Sequence, residues 1–261
     1  MLHIIQTRYS VYHPYPKKMP KSADFWNNVG VTEEDFEQGE HIVNKKGSEF
    51  LYSDGRMAHK FHCFKYLTLP TVQAAMDKVE NAEWWIYVSP SQYFPAKHLN
   101  DLVEITKSDE RIKIIEFDFL DGKYLHFGDH AQKELAARNL TTRFSTTRID
   151  DDDGFYSDLL YEVETTALGV EEPFVYVSTW GVKCEVLPDG SLKEGPLWEH
   201  QNGKSQHAVG LVAVDEHVMR LGNHGQIQNK WPNLKIIRNR KKRKAFFLSC
   251  HVLYTCSSRT L

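Results

Sequence analysis

The sequence predicts an α/β fold built on a mostly parallel sheet flanked by helices. Three observations carry the prediction. Short apolar runs alternate with stretches of helical periodicity through the first two thirds of the chain. Runs such as Trp84-Trp85-Ile86-Tyr87-Val88 lack the apolar–polar alternation of a half-exposed strand, as strands buried on both faces do. The chain has 261 residues, 41% of them hydrophobic and 26% charged, which is enough for a sizeable core without covalent staples.

In order, "LHIIQTRYSVY" opens as a strand that turns polar at Gln6, Thr7 and Arg8. "HPYPKKMPKS" is too rich in proline for regular structure. A loop then leads to a helix with Thr32 as N-cap, its first turn carrying Glu33, Glu34 and Asp35 where the helix dipole favours acids. "NKKGSEFLYSDGR" reads as a loop. "MAHKFHCFKYLTLPTVQAAMDKV" reads as a helix broken at Pro70 and resumed, with Val72, Ala75, Met76 and Val79 on one face. The strand "EWWIYVSP" follows, then a helix with Leu99, Leu102 and Val103 on one face, the strand "RIKIIEFDF", the helix "DHAQKELAARNL" and the strand "TTRFSTTRI". "GFYSDLLYEVETTAL" reads as a helix, with Phe155, Leu159 and Val163 at i, i+4 and i+8. "PFVYVSTWGVKCEVLPDGSLKEG" reads as strand, Pro-Asp-Gly turn and strand, and "SQHAVGLVAV" as a further apolar element. The expected organisation is one domain over 1–261, with a ligand-binding half (1–165) and a second half (166–261).

The composition bounds the function. A net charge of −3 supplies no global field for nucleic acid. No run reaches the ~18 apolar residues of a membrane span, and the short apolar start is not a signal peptide, so a cytoplasmic protein is expected. Cys63, Cys184, Cys250 and Cys256 lack metal-ligand or disulfide-framework spacing and read as reduced thiols. The single charge block, Arg238 to Lys244, reads as a solvated face, with a nucleic-acid, nuclear-import or anionic-lipid patch as the competing reading.

One stretch points to chemistry. "TTRIDDDDGFYSDLL" places four carboxylates, Asp150 to Asp153, directly after a strand. Ligands of open α/β sheets bind at the carboxyl ends of strands. If strand geometry persists, Asp150 and Asp152 point the same way. Paired carboxylates repel unless a cation compensates them, and Mg²⁺ or Mn²⁺ takes one or two carboxylates together with ligand phosphates. The alternative is an acidic turn that caps a following helix, with Arg148 neutralising Asp150 as a plain ion pair.

The same residues carry a resemblance. "TTRIDDDDGFYSDLL" resembles the T-R-L-D-N-D-D-A-L segment of a rhamnosyltransferase family whose members have a GT-A type, Rossmann-like nucleotide-sugar domain. "HIIQTRYSVY", "FKYLTLPTVQAA", "WWIYVSP", "GNHGQI" and "FFLSCHVLYTCS" resemble other segments of that family in the same order. Asp151 stands where the family usually has Asn, Ser89 near a position where Asp is common, and His251 is followed by Val252 and Leu253 rather than Gly-x-Asn.

The resemblance implies a metal-dependent transfer of a sugar from a nucleoside-diphosphate sugar to a glycan or other hydroxyl acceptor. It implies Asp150 near the ribose and metal, Asp152 as a ligand of Mn²⁺ or Mg²⁺, Asp153 as a helper, and Asp151 as expendable. It implies Arg8, beside Arg148, as a partner of the donor phosphates, and His224, then His251, as a late metal ligand. For the acceptor base, Asp215 and Glu216 after "VGLVAV" are the candidates, with Glu185 and Asp189 as competitors. Trp180 could stack on a sugar. Two other classes remain open on sequence: a magnesium-dependent nucleotidyl or phosphoryl transferase, although no Gly-rich phosphate loop is present, and a non-catalytic cation-binding module, although the spacing is not that of an EF-hand.

Overall fold

The buried apolar runs become the central strands. The structure, a computed structural model, describes residues 1–11, 30–118, 127–199, 211–216, 233–240 and 246–249. The described strands are β1 (Leu2–Arg8), β2 (Ala82–Val88), β3 (Ile112–Glu116), β4 (Phe144–Arg148), β5 (Gly154–Phe155), β6 (Phe174–Ser178), β7 (Trp180–Val186), β8 (Leu192–Glu199), β9 (Leu211–Val214), β10 (Lys235–Asn239) and β11 (Phe246–Ser249). The helices are α1 (Glu33–Gln38), α2 (Glu40–Leu51), α3 (Asp54–Cys63), α4 (Leu69–Met76), α5 (Ala96–Thr106), α6 (Phe127–Ala137) and α7 (Leu159–Ala167).

Seven strands form the main sheet in the order β10-β6-β9-β4-β1-β2-β3. β9 pairs antiparallel with both β4 and β6, and the other neighbours pair parallel. Every strand except β9 therefore ends on one rim. This mixed, mostly parallel sheet with helices on both faces is the α/β arrangement expected. A four-stranded sheet, β5-β11-β7-β8, extends from the same rim, because β7 starts one residue after β6 ends and β5 follows the aspartates that end β4.

Successive residues of each central strand serve opposite cores. Ile5, Trp84, Ile86, Val212 and Val214 pack with Val72 and Met76 of α4, Leu102 of α5 and Leu159 and Val163 of α7. Ile4, Trp85, Tyr87, Leu211 and Ala213 pack with Phe127, Ala131 and Leu135 of α6. This is why the strands read as unbroken apolar runs. At the start of α1 the Thr32 cap is present: its hydroxyl accepts from the Asp35 amide at 3.3 Å, and the Asp35 carboxylate accepts from the Thr32 amide at 2.7 Å.

Several expectations are corrected. "NKKGSEFL" is the body of α2, not a loop; burial of Val43 against the fold overrides the weak helix formers Asn44 and Gly47. Pro70 does not break its helix. Residues Phe64–Thr68 form a π-helical turn, in which the Leu69 amide donates to the Phe64 carbonyl, five residues back. The wider turn makes room for the Pro70 ring and places its missing N–H where the ladder is already irregular. Val103 is exposed rather than sharing the buried face of Leu102. "PFVYVSTWGVKCEV" is two strands that change sheets at Thr179, and the Pro-Asp-Gly turn joins β7 to β8 within the second sheet. Cys63 and Cys184 are buried and not in a disulfide, whereas Cys250 and Cys256 lie outside the described residues. No described helix is long and apolar enough to cross a membrane.

Candidate functional site

β1 and β4 lie side by side and end together on the rim, with Gln6 opposite Arg148. The Ile149 amide donates to the Gln6 carbonyl at 3.0 Å, which carries the pairing one residue further and aims the chain out of the sheet at Asp150. There it turns: the Asp153 amide donates to the Asp150 carbonyl at 3.3 Å. The turn rests on the helix layer. The Phe155 amide donates to Thr71 Oγ1 of α4, and a Cβ on Gly154 would meet that oxygen at 2.8 Å.

The four carboxylates divide into two environments. Asp150 faces outward. Its Oδ1 accepts from Arg148 Nη2 at 2.8 Å and lies 3.7 Å from Arg8 Nη2, and both Asp150 and Arg8 keep about two fifths of their side-chain surface in solvent (39% and 44%). Asp151 and Asp152 face inward to Lys60 of α3. Lys60 Nζ donates to Asp151 Oδ1 at 2.6 Å and to Asp152 Oδ2 at 2.7 Å. Asp151 is buried to 3% exposure, and Asp153 is also buried.

Beyond them, the buried Arg56 guanidinium donates to the Leu51 carbonyl at 2.7 Å and to Ser10 Oγ at 3.2 Å. The Tyr9 hydroxyl is buried with no hydrogen-bond partner among the described residues. Arg8, Arg148, Lys60 and Arg56 thus balance the four carboxylates.

This balance sets the ionisation. Burial works against the Asp150 carboxylate, but Arg148 and Arg8 outweigh it and hold the group below the ordinary range. Burial lifts the Asp151 carboxyl above its ordinary value, since one ammonium is shared with Asp152 and only partly compensates. Burial would strip the proton from Lys60, yet the two carboxylates prevail and keep it charged. On the same helix, burial and then the Asp152 charge push the Cys63 thiol up to about 12, so it is an inert core residue.

The sequence-read residues are not all brought together. Arg8, Arg148, Asp150, Asp152 and Asp153 meet at the rim. Asp151 does too, and its buried bridge to Lys60 corrects its reading as expendable. The expectation that Asp150 and Asp152 point the same way also fails, because the chain has left the strand and turns between them. Nor do the aspartates cap a helix: two residues of β5 intervene, and α7 begins only at Leu159 with no side-chain cap.

Asp215 and Glu216 are at the opposite end of the sheet. β9 runs antiparallel, so Asp215 follows Val214 beside Phe144, at the start of β4. Six residues of extended chain separate that point from Asp150, roughly 20 Å. There Asp215 accepts from Arg143 Nε at 2.6 Å and from the Phe144 amide at 3.2 Å. Glu185 pairs with Lys193 at 3.5 Å, and Asp189 accepts from the Ser191 amide and hydroxyl within the β7–β8 turn. Trp180, half-buried, starts β7 just beyond the rim end of β6, a strand that lies two places from β4 in the main sheet, roughly 10 Å across. His224 and His251 lie outside the described residues, as do residues 241–244 of the basic block. Sequence reading missed Lys60, Arg56 and Tyr9; only their contacts across the fold mark them.

The donor set suits a hard cation in a limited sense. Among the described residues no three His, Cys, Asp or Glu side chains gather to hold a metal. Asp150 and Asp152 are nonetheless close enough for the charge of one to raise the pKa of the other. They face different ways, Asp150 to Arg148 and Arg8 and Asp152 to Lys60, so a cation here would take one of them and complete its shell with ligand phosphates.

Residues 32–174, more than half of the chain and including the aspartate turn, match the family described as "Putative rhamnosyl transferase". The chain belongs to this family. Within the matched span of this rhamnosyl transferase family member lie β2 to β4, the Lys60 helix and all four aspartates; Arg8 precedes it. No curated protein matches the sequence. Among solved structures, S. aureus TarS 1-349 in complex with UDP-GlcNAc is similar with a TM-score of 0.43 and 8% identity, covering 100% of this chain and 62% of that one. S. aureus TarS 1-349 alone gives 0.40 and 7%, covering 95% and 60%. A "Putative Glucose-1-Phosphate Thymidylyltransferase" from Bacillus anthracis in complex with a sucrose gives 0.39 and 12%, covering 91% and 86%. The chain therefore spans under two thirds of the length of the TarS structures.

Proposed function

We propose that the protein is a glycosyltransferase that moves a sugar, rhamnose by the family's description, from a nucleoside-diphosphate donor to a hydroxyl of a glycan. The observation that supports this reading best is the rim at the ends of β1 and β4, where exposed Arg8, half-buried Arg148 and partly exposed Asp150 adjoin the buried Lys60–Asp151–Asp152 bridge in a member of a rhamnosyl transferase family. Arg8 and Arg148 present planar forks of donors to the donor phosphates. Asp150 orients both guanidinium groups; Asp152, with Asp150 as the alternative, would hold Mn²⁺ or Mg²⁺ together with the donor phosphates. Such a cation would supply charge stabilisation to the departing diphosphate. Asp153 supports the turn, and His224 remains the proposed late ligand. Trp180 and the second sheet form the acceptor side, so 1–165 serves the donor and 166–261 the acceptor. The work is placed in the cytoplasm, where the reduced buried thiols suit the redox state, and residues Arg238 to Lys244 are the proposed contact to a membrane surface.

The test is thermal unfolding with UDP, GDP and dTDP, each with and without MnCl₂. A nucleoside diphosphate is expected to raise Tm only with the metal, and Asp152→Ala to abolish the shift. Stabilisation by CaCl₂ with no nucleotide effect would favour a cation-binding module and end this reading.

A further inference from the structure

We propose that Lys60 is the positioning residue of this site: its ammonium fixes the Asp152 carboxylate in the orientation that receives the donor diphosphate and its cation. The inference rests on the transferase reading above and adds to it a residue that no motif announces.

The geometry carries it. Lys60 Nζ bridges two adjacent carboxylates at 2.6 and 2.7 Å, and these lie 91 and 92 residues away in sequence. The two differ in setting: the Asp151 side chain is 5% exposed and that of Asp152 15%. One bond thus anchors the ammonium to the interior, while the other reaches the carboxylate nearer solvent.

The anchor is stiff on the helix side as well. α3 buries Arg56, Met57 and Cys63, continues into the buried Phe64 of the π turn, and is fixed to the β7–β8 turn through His62 Nε2 and the Leu187 carbonyl at 2.7 Å. The aspartate turn is held against the neighbouring helix by Gly154 and Thr71. The helix layer and the aspartate turn therefore meet at the Lys60 ammonium as well as at the Gly154–Thr71 contact. Without the ammonium, Asp151 and Asp152 repel, and the side chain that can swing to relieve the repulsion is the less buried Asp152. A ligand displaced by about 1 Å costs on the order of 100-fold in rate, which is the effect a positioning residue should show.

The experiment compares wild type, Lys60→Met and Lys60→Ala. Lys60→Met keeps the length and packing of the stem and loses the charge. Each protein is assayed by calorimetry for UDP, GDP and dTDP binding in MnCl₂, and for hydrolysis of the corresponding sugar donors, with Tm as a control for folding. Lys60→Met is expected to remain folded, to bind the nucleotide with Mn²⁺ about 10-fold more weakly and to lose about 100-fold in kcat. Ethylammonium chloride is expected to restore part of the kcat of Lys60→Ala, and sodium chloride at equal ionic strength is not. A folded Lys60→Met with wild-type nucleotide binding and turnover overturns the proposal. So does a loss of turnover that follows only the folded fraction and that no ammonium restores. Absence of metal-dependent nucleotide binding in wild type itself would instead overturn the transferase reading, so the two failures are distinguishable.

Discussion

At the scale of the single residue, four identical side chains in a row have become three different groups. Asp150 is an exposed partner of two arginines, Asp151 is the buried end of a salt bridge, and Asp152 shares that bridge closer to solvent. Replacing one member of a buried pair leaves the other uncompensated, but Lys60 would keep Asp152. Burial already holds the Asp151 carboxyl above its ordinary value, so Asp151→Asn is expected to lower unfolding free energy by less than Asp150→Asn does. Asp150→Asn, at a solvent-exposed pair, is expected to cost under about 1 kcal/mol. Urea titration of both variants checks the ranking. Asp215→Asn is expected to lower stability through the lost Arg143 contact while leaving donor hydrolysis unchanged, the opposite of what a catalytic base would show. The aspartates and their two arginines were legible because a strand end, a charge run and a nearby guanidinium are local features. Lys60 was not, since in "MAHKFHCF" nothing distinguishes a lysine that faces solvent from one that reaches a turn 91 residues later.

At the scale of the element, the site depends on how α3, the π turn and α4 are joined. Pro70 requires the irregular turn, and the irregular turn sets the phase between Lys60 on one side and Thr71 on the other. Gly154 lies against this junction, with Leu67 at 3.0 Å and Thr71 Oγ1 at 2.8 Å from where a Cβ would stand. Gly154→Ala is expected to destabilise by about 1–3 kcal/mol, as overpacking does, and to weaken metal-dependent nucleotide binding because the aspartate turn must shift. Differential scanning calorimetry and the nucleotide titration together check it. Periodicity made the strands and most helices legible, since burial on two faces or on one stripe writes itself into the sequence. Direction does not. "LVAV" reads the same whether the strand runs with its neighbours or against them, and it is the antiparallel direction of β9 that puts Asp215 at the end of the sheet away from the aspartate turn.

At the scale of the whole molecule, salt bridges tie the edges of the layers together, and they set the response to acid. Burial would raise the Glu83 pKa, but hydrogen bonds from Arg138, Lys113 and Trp85 bring it down to about 2. Arg111, opposed by burial and aided by Gln73, brings Asp109 to about 2. Both folded values lie below the unfolded ones, so this stability is fully present above roughly pH 4.5 and is lost as the pH falls from there through about 2. Urea midpoints at pH 7, 4 and 2.5 are expected to fall most steeply across the last interval, and Glu83→Gln is expected to flatten that fall. The sheet also imposes an order of events. β4, which carries the aspartates at its end, gains its second neighbour only from residues 211–214, which lie beyond β6 of the main sheet and β5, β7 and β8 of the second sheet. During synthesis the amino-terminal strands can assemble first, but one edge of β4 stays open until Val214 has left the ribosome. Ribosome-bound chains stalled before that point would present the open edge to chaperones and to one another, and the geometry of the rim would be among the last features of the molecule to be set.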